Sequence, residues 1–271
     1  MTGGRCQVEA SRNSGPPRRL PAADVADGDR VRVRSAEEIA ATLDEDGRLR
    51  GCAFSEDMLA SCGQERRVLR RVERAFDEHD RRMLRVHNVV LLEGSECDGC
   101  DYACHHFWRT EWLEKIGEPS RMQLAPPTRS EPLPLLAPRL VREARNYVGG
   151  LRRGEPPKPE PARAQLPPAD LRAGDWVRVR SEEEIRSSLD SDGKLKGCTF
   201  TWTQYKLCGQ TFRVHGPVEN FYDVAKGRMA KTRNTVLLEG VHCSGGDLPE
   251  ANGCQRHCYY FWRTEWLEKV S

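Results

Sequence analysis

The stretch "GDRVRVRSAEEI" at residues 28–39 and its near-copy "GDWVRVRSEEEI" at residues 174–185 decide how each half of the chain begins to fold. In both stretches apolar and basic residues alternate, which predicts a half-buried β-strand. Ser35 and Ser181 then each precede a glutamate by three residues. That spacing is typical of a capping box, so we predict a short helix directly after each strand.

The similarity extends well beyond these two stretches. The sequence from Leu20 matches the sequence from Leu166 without a gap through Gly99, and about half of those positions are identical. After one insertion, the string "FWRTEWLEK" recurs unchanged. The chain therefore reads as a tandem repeat of a unit of about 100 residues, which is the size of a small domain.

This repetition divides the chain into four predicted segments. They are a disordered tail at residues 1–19, a first cysteine-rich β module at 20–117, a proline-rich linker at 118–165 and a second cysteine-rich β module at 166–271. The linker contains ten of the 17 prolines and reads as semi-rigid and largely unfolded. Within the linker, the residues after Pro138 form either a short amphipathic helix or no stable helix.

Each repeat combines several short strands with one or two helical turns. The strings "DEDG" and "DSDG" predict turns, and the pieces ending in Cys-Gly predict a second helical turn. Two further apolar stretches and the "FWRTEWL" stretch predict the remaining strands. We therefore predict a mainly β (α+β) protein with two tandem small SH3-like or curled-sheet barrels, each carrying a four-cysteine metal site.

The last predicted strand carries two tryptophans and two charged residues in each repeat. We expect all four tryptophans in the core: Trp108, Trp112, Trp262 and Trp266. We expect the charged residues that alternate with them to face solvent: Arg109, Glu111, Arg263 and Glu265.

Composition narrows the class of function. Charged residues make up 31% of the chain but the net charge is only +2, so nucleic acid is not an expected partner. No apolar run is long enough to span a membrane, and the first residues do not resemble a secretory signal. We therefore expect a cytoplasmic protein, in which thiols stay reduced. No phosphate-binding loop, dinucleotide fingerprint or nucleophile elbow is present, so catalysis has little support.

The 11 cysteines are the main functional signal. Four in each repeat form a natural ligand set: Cys62, Cys97, Cys100 and Cys104 in the first, and Cys208, Cys243, Cys254 and Cys258 in the second. Four thiolates suit tetrahedral zinc, so we predict two structural zinc ions per chain. An iron–sulfur cluster at each site is the alternative, and thiols or disulfides without metal are the third possibility.

The remaining candidate ligands correspond less well between the repeats. Cys52 and Cys198 read as small buried residues, with substitution for a loop ligand as the other interpretation. His105 and His106 stand opposite tyrosines of the second repeat, so neither can belong to a ligand set common to both. Either could still serve the first site alone.

The residues also resemble a known group of proteins. The strings "GDWVRVRSEEEI", "CGQTFRV", "LLEG" and "FWRTEWL", with the spaced cysteine trio, are similar to a family of uncharacterised bacterial cysteine-rich proteins of about 100 residues. The resemblance covers both repeats and neither tail nor linker. It implies a module with cysteines at the "CGQ" and loop positions, and it implies no reaction.

Together these observations predict a binding, scaffolding or accessory protein held together by zinc. Two modules on one chain could engage a protein partner with avidity. The alternative is an iron–sulfur protein that transfers electrons or serves a redox or biosynthetic enzyme. The sequence specifies neither the partner nor the oligomeric state.

Overall fold

The fold is described from a computed structural model, which describes residues 18–117, 163–224, 226–247 and 251–270. Cys6, almost all of the predicted tail and the predicted linker helix lie outside these residues. The residues at 18–117 and 164–270 belong to one compact unit. A second unit at 121–163 is described only at Arg163. The predicted domain boundaries stay predictions.

The first repeat is built on a five-stranded antiparallel sheet in the order β6-β5-β4-β1-β7. Its strands are β1 Arg30–Val33, β4 Glu65–Asp77, β5 Arg82–Leu92, β6 Trp108–Arg109 and β7 Leu113–Lys115. A small hairpin pairs β2 Arg48–Leu49 with β3 Cys52–Ala53. The helical elements are α1 Ala36–Ala40 and the 3-10 turns Glu56–Ser61 and Thr110–Trp112.

The second repeat has a five-stranded sheet of the same order, β15-β14-β11-β8-β16. Its strands are β8 Trp176–Val179, β11 Thr211–Pro217, β14 Thr235–Leu238, β15 Trp262–Arg263 and β16 Leu267–Lys269. Two hairpins flank it, β9 Lys194–Leu195 with β10 Cys198–Thr199 and β12 Asn220–Asp223 with β13 Arg228–Lys231. Its helical elements are α2 Glu182–Ser188, α3 Trp202–Tyr205 and the 3-10 turn Thr264–Trp266.

The predicted strand-to-helix start is present in both repeats. Ser35 accepts a hydrogen bond from the backbone N–H of Glu38, whose carboxylate in turn accepts from the backbone N–H of Ser35. Ser181 and Glu184 make the same reciprocal pair. Each box satisfies backbone donors that a helix N-terminus leaves without a partner, which fixes where the helix begins.

The four tryptophans are fully buried, as predicted. The expectation for the charged residues between them is wrong, because Arg109, Glu111, Arg263 and Glu265 are only 2–6% exposed. Each glutamate accepts hydrogen bonds from the arginine two residues before it, at 2.6 Å in the first repeat and 2.8 Å in the second. The 3-10 turn in "RTEW" breaks the strand alternation that predicted exposure, and mutual pairing makes burial of the two charges tolerable.

The mainly β class is confirmed, with several small antiparallel sheets. Within the described residues the sheets close into no barrel, and the SH3-like part of the prediction stays a prediction. No helix in the described part of the chain is long and apolar enough to cross a membrane.

Candidate metal centre

The loop between β5 and β6 brings Cys97, Cys100 and Cys104 together. The backbone N–H of Cys97 donates to the carbonyl of Cys104 at 2.7 Å, which closes the loop. The backbone N–H of Gly99 donates to Sγ of Cys97 at 3.3 Å. The thiols of Cys97 and Cys100 are in hydrogen-bond contact, and Cys104 lies within electrostatic reach of both. One tight loop therefore places the three cysteines near one another, although their sulfurs do not all lie within 4.8 Å.

The loop of the second repeat closes in the same way despite its insertion. The backbone N–H of Cys243 donates to the carbonyl of Cys258 at 2.7 Å, and that of Gly245 donates to Sγ of Cys243 at 3.2 Å. A Cβ added to Gly245 would lie only 2.4 Å from the carbonyl oxygen of Cys254. The chain thus returns after the insertion and brings Cys254 beside Gly245, the counterpart of the Gly99 that precedes Cys100.

Burial sets the protonation of these thiols. It raises the pKa of Cys97, Cys104 and Cys243, and it raises the pKa of Cys258 to about 11. Neighbouring cysteines raise each of these pKa values further, because two thiolates repel each other. These four thiols are therefore neutral at neutral pH, and a metal ion would have to displace their protons.

The predicted fourth ligands, Cys62 and Cys208, come from other elements of their repeats. Cys62 follows the 3-10 turn at Glu56–Ser61, and both Cys62 and Cys208 pack against the hydrophobic core of their own repeat. The charged neighbour of the Cys62 thiol is Glu37, and those of Cys208 are Glu182 and Arg186. Among the described residues no three sulfurs come within 4.8 Å of one another. The complete four-cysteine sites stay a prediction.

Acidic residues that the sequence did not single out lie near each first loop cysteine. The carboxylate of Asp57 is within electrostatic reach of Cys97, and that of Asp247 is within reach of Cys243. Asp57 comes from the 3-10 turn before Cys62, whereas Asp247 lies in the inserted segment of the second loop. Because they occupy different sequence positions, comparing the repeats could not have found them.

Cys52 and Cys198 occupy equivalent positions on the small hairpins. Their thiols contact the carbonyls of Phe107 at 3.4 Å and Phe261 at 3.9 Å. Burial raises the pKa of both thiols to about 11. None of the ten cysteines in the described part of the chain forms a disulfide.

Each cysteine loop also docks on the sheet of the other repeat. In the first loop the Asp101 carboxylate accepts backbone N–H bonds from Glu219 at 2.9 Å and Asn220 at 2.7 Å. In the second loop the side-chain oxygen of Gln255 accepts from the backbone N–H groups of Glu73 at 2.7 Å and Arg74 at 3.0 Å.

Asp101 and Gln255 hold equivalent places in the repeats, and so do the backbone groups that they bind. The contacts are therefore reciprocal. They bring the two loops close enough that the thiols of Cys104 and Cys258 interact electrostatically. The candidate ligands of the two repeats meet in one region of the molecule.

A group of three histidines lies in the same region. His105 comes from the first repeat, and His242 and His257 come from the second. One ring nitrogen of each lies within 4.8 Å of the others, and no other group of three or more such ligand residues in the described chain is as close. Burial lowers the pKa of both His242 and His257 to about 4. Sequence comparison missed the group because its members do not correspond between the repeats.

His106 belongs to a different arrangement. Its Nε2 lies 2.8 Å from the Asp57 carboxylate and its Nδ1 lies 3.3 Å from Oγ of Ser95. The order Ser, His, Asp invites comparison with a hydrolase triad. Ser95, however, is only 3% exposed and its oxygen accepts a hydrogen bond from Nε1 of Trp108 at 2.8 Å. A substrate has no access to this hydroxyl, so the network orders the core rather than forming a nucleophile.

No family model, curated protein or solved structure matches the chain. The resemblance to small bacterial cysteine-rich proteins stays an interpretation of the sequence.

Proposed function

We propose that the protein is a tandem metal-binding protein in which each cysteine loop holds a structural zinc ion. In this proposal each repeat is a small SH3-like module, and the chain acts as a binding, scaffolding or accessory protein. The observation that carries the proposal is the identical closure of the two loops. Loops that differ by eight inserted residues both place a backbone N–H on the sulfur of their first cysteine.

The chemistry of the two loops fits zinc. Backbone N–H groups directed at sulfur stabilise thiolates, and the Phe76 N–H adds one to Sγ of Cys254 at 3.3 Å. Cys97, Cys100 and Cys104 would hold the first ion, and Cys243, Cys254 and Cys258 the second. Zinc bound there would cross-link each loop as a structural ion. The fourth ligand is the predicted Cys62 or Cys208, or the nearby carboxylate of Asp57 or Asp247.

A structural ion at these loops would also fasten the repeats to each other. The residues that reach the opposite sheet, Asp101 and Gln255, directly follow the middle cysteine of each trio. Ordering the loop before docking lowers the conformational entropy that docking costs. Metal binding and association of the repeats should therefore be coupled.

A protein partner is proposed from the distribution of exposed apolar side chains. Four large ones lie on the second repeat at 42–54% exposure: Trp176, Trp202, Tyr222 and Met229. Tyr222 and Met229 face each other across the hairpin of β12 and β13. The corresponding pair of the first repeat, Phe76 and Met83, is also apolar, but Phe76 is buried and Met83 is half-buried. Exposed aromatic residues and methionine are typical of protein interfaces, so the partner is expected on the second repeat.

The test is anaerobic purification of the full chain followed by measurement of zinc, iron and acid-labile sulfide. The proposal predicts a colourless protein with about two cysteine-bound zinc ions per chain. Brown protein with iron and sulfide would contradict zinc and support the iron–sulfur alternative. Protein that contains neither metal and stays folded in chelator would contradict both.

Matched variants assign the ligands. Cys104→Ser and Cys258→Ser should each remove about one zinc ion per chain, whereas Cys52→Ala and Cys198→Ala should remove none. Cys62→Ser with Cys208→Ser is then compared with Asp57→Asn with Asp247→Asn. The pair that releases zinc contains the fourth ligands, and unchanged zinc in the Cys104→Ser and Cys258→Ser variants contradicts the proposal.

A further inference from the structure

We propose that His105, His242 and His257 form a separate binding site for one divalent transition-metal ion, assembled from both repeats. Imidazole nitrogens suit zinc, cobalt, nickel and copper. Three protein ligands leave a coordination position open for water or another small ligand. The inference does not depend on the zinc proposed for the cysteine loops.

His105 is the residue that points to a ligand. Its side chain is only 6% exposed, yet neither ring nitrogen has a hydrogen-bond partner among the described residues. Burying a polar group without a partner costs about 1–3 kcal/mol. Buried polar groups of this kind are rare in folded proteins and call for an explanation such as a bound ion. A metal ion at its ring would supply the missing interaction.

The other two histidines lie beside it. The ring centroids of His105 and His257 are 5.8 Å apart, and those of His105 and His242 are 6.5 Å apart. His242 and His257 stack at 3.8 Å. The candidate nitrogens lie within 4.8 Å of one another, whereas ligand atoms around tetrahedral zinc are about 3.4 Å apart. Closing the site therefore requires the nitrogens to move together by about an ångström, and the stacked rings of His242 and His257 to turn so that their lone pairs converge on the ion.

The charges around the group favour His105 as an anchor. The carboxylate of Glu96 lies 3.7 Å from Nδ1 of His105, on the strand bridge that pairs these two residues. A carboxylate behind a ligating histidine orients the ring and raises its basicity. The positive charge of Arg70 lowers the pKa of His257 and would repel a cation bound there. One carboxylate and one guanidinium thus face the group, and three neutral imidazoles supply the binding.

The site exists once per chain because the repeats differ at all three positions. The residues that correspond to the three histidines are Tyr259, Glu96 and Ala103. They also lie near one another, since Ala103 packs beside Tyr259 and Glu96 acts electrostatically on the Tyr259 hydroxyl. The set of positions that corresponds to the three histidines therefore contains no histidine. The histidine site would bind one metal ion per chain and the cysteine loops two, so the number of ions as well as the type of ligand distinguishes them.

In the test, no more than two equivalents of zinc are added to the full chain, because thiolates take zinc before imidazoles do, and cobalt(II) is then titrated under anaerobic conditions. We expect about one equivalent of cobalt to bind, with the weak visible absorption of nitrogen and oxygen ligands. An intense near-ultraviolet band would show thiolate ligands instead and would overturn the assignment, as would the absence of any cobalt binding.

The chain itself offers conservative variants for each ligand. His105→Tyr, His242→Glu and His257→Ala each install the residue found at the corresponding position of the other repeat. We expect each to weaken cobalt binding at least about tenfold while circular dichroism and the cysteine-bound zinc stay unchanged. His215→Ala is the control, because His215 is exposed and stacks on Tyr259 next to the group.

Two further results decide the outcome. Cobalt binding that survives all three substitutions, or that is lost in His215→Ala, overturns the site. Loss of the cysteine-bound zinc in all three histidine variants overturns its independence. The Cys104→Ser and Cys258→Ser variants keep the cobalt equivalent if the histidine site is separate, even where the proposal for the cysteine loops fails.

Discussion

The two repeats share a sheet order but differ in how well their buried polar groups are satisfied. In the first repeat the indole of Trp108 donates to Ser95 and that of Trp112 donates to Thr42 at 3.0 Å. In the second repeat the indole nitrogens of Trp262 and Trp266 are buried with no hydrogen-bond partner among the described residues. Val241 stands where Ser95 stands in the first repeat, which removes one acceptor.

The buried arginine–glutamate pairs differ in the same direction. Arg109 binds both oxygens of Glu111, at 3.1 and 2.6 Å. Arg263 binds one oxygen of Glu265, and the other oxygen has no partner among the described residues. An unsatisfied buried group costs more than a hydrogen bond gains. Around the tryptophans and the arginine–glutamate pair, the first repeat is therefore the better satisfied of the two, although His105 and Thr110 are buried without partners there.

The largest expected effect comes from breaking these pairs. Glu111→Ala should lower the free energy of unfolding by about 3–5 kcal/mol, because it leaves the Arg109 guanidinium buried without its carboxylate. Glu265→Ala should cost about 1 kcal/mol less, since Arg263 uses one oxygen only and Lys196, which binds the same oxygen at 2.9 Å, is exposed and can be solvated by water. Urea unfolding of both variants measures the difference. Glu93→Ala is the control, because its exposed ion pair with Arg67 should contribute less than about 1 kcal/mol.

Equal losses for Glu111→Ala and Glu265→Ala would show that the second oxygen contributes nothing. The comparison of the repeats would then rest on the tryptophans alone.

The next largest change in the free energy of unfolding is expected when Ser95 and Val241, which hold equivalent positions beside the tryptophans, are exchanged. Ser95→Val should destabilise the protein by about 1–3 kcal/mol, because it leaves Nε1 of Trp108 buried without an acceptor. Val241→Ser in the second repeat should cost less than about 1 kcal/mol, since a new acceptor for Trp262 offsets the lost apolar burial. Thermal and urea unfolding test both. A larger loss for Val241→Ser than for Ser95→Val would contradict the account of the two cores.

The local elements were predictable from the sequence, whereas the site was predictable only in part. Alternation and the serine–glutamate spacing determine the strand and helix at each start, because both depend on neighbouring residues. Burial of Arg109 was not predictable, since its partner and the 3-10 turn decide it. The histidine group was not predictable either, because its members come from both repeats and occupy positions that do not correspond between them.

A smaller effect separates the two docking contacts by their response to acid. Backbone N–H bonds from Asn220 and Glu219 lower the pKa of Asp101. This contact therefore contributes stability above the unfolded pKa of about 3.9 and loses it as the pH falls through the lower folded pKa. Gln255 makes the equivalent contact without a titratable group.

Asp101→Asn should thus cost about 1 kcal/mol at pH 7 and less at pH 3. Gln255→Glu should do the reverse, adding acid-sensitive stability to the second loop. The free energy of unfolding of each variant is compared with that of the parent chain at both values of pH. A constant difference between Asp101→Asn and the parent chain would contradict the role of the carboxylate.

The smallest difference between the repeats is expected in the reactivity of Cys52 and Cys198, which occupy equivalent positions. Burial raises the pKa of Cys52 and Cys198 to about 11, and the arginine–glutamate pair of the same repeat acts on each thiol. At pH 8 a thiol with that pKa is ionised to about 0.1%, against about a quarter for an ordinary cysteine. Both should therefore react with iodoacetamide roughly 200-fold more slowly than a free thiol, and each pH unit up to 10 should raise the rate about tenfold. Peptide mapping by mass spectrometry follows the two sites separately. Matching slow rates would show that the hairpins kept the same environment while the polar cores diverged, and fast reaction of one cysteine would place the divergence there as well.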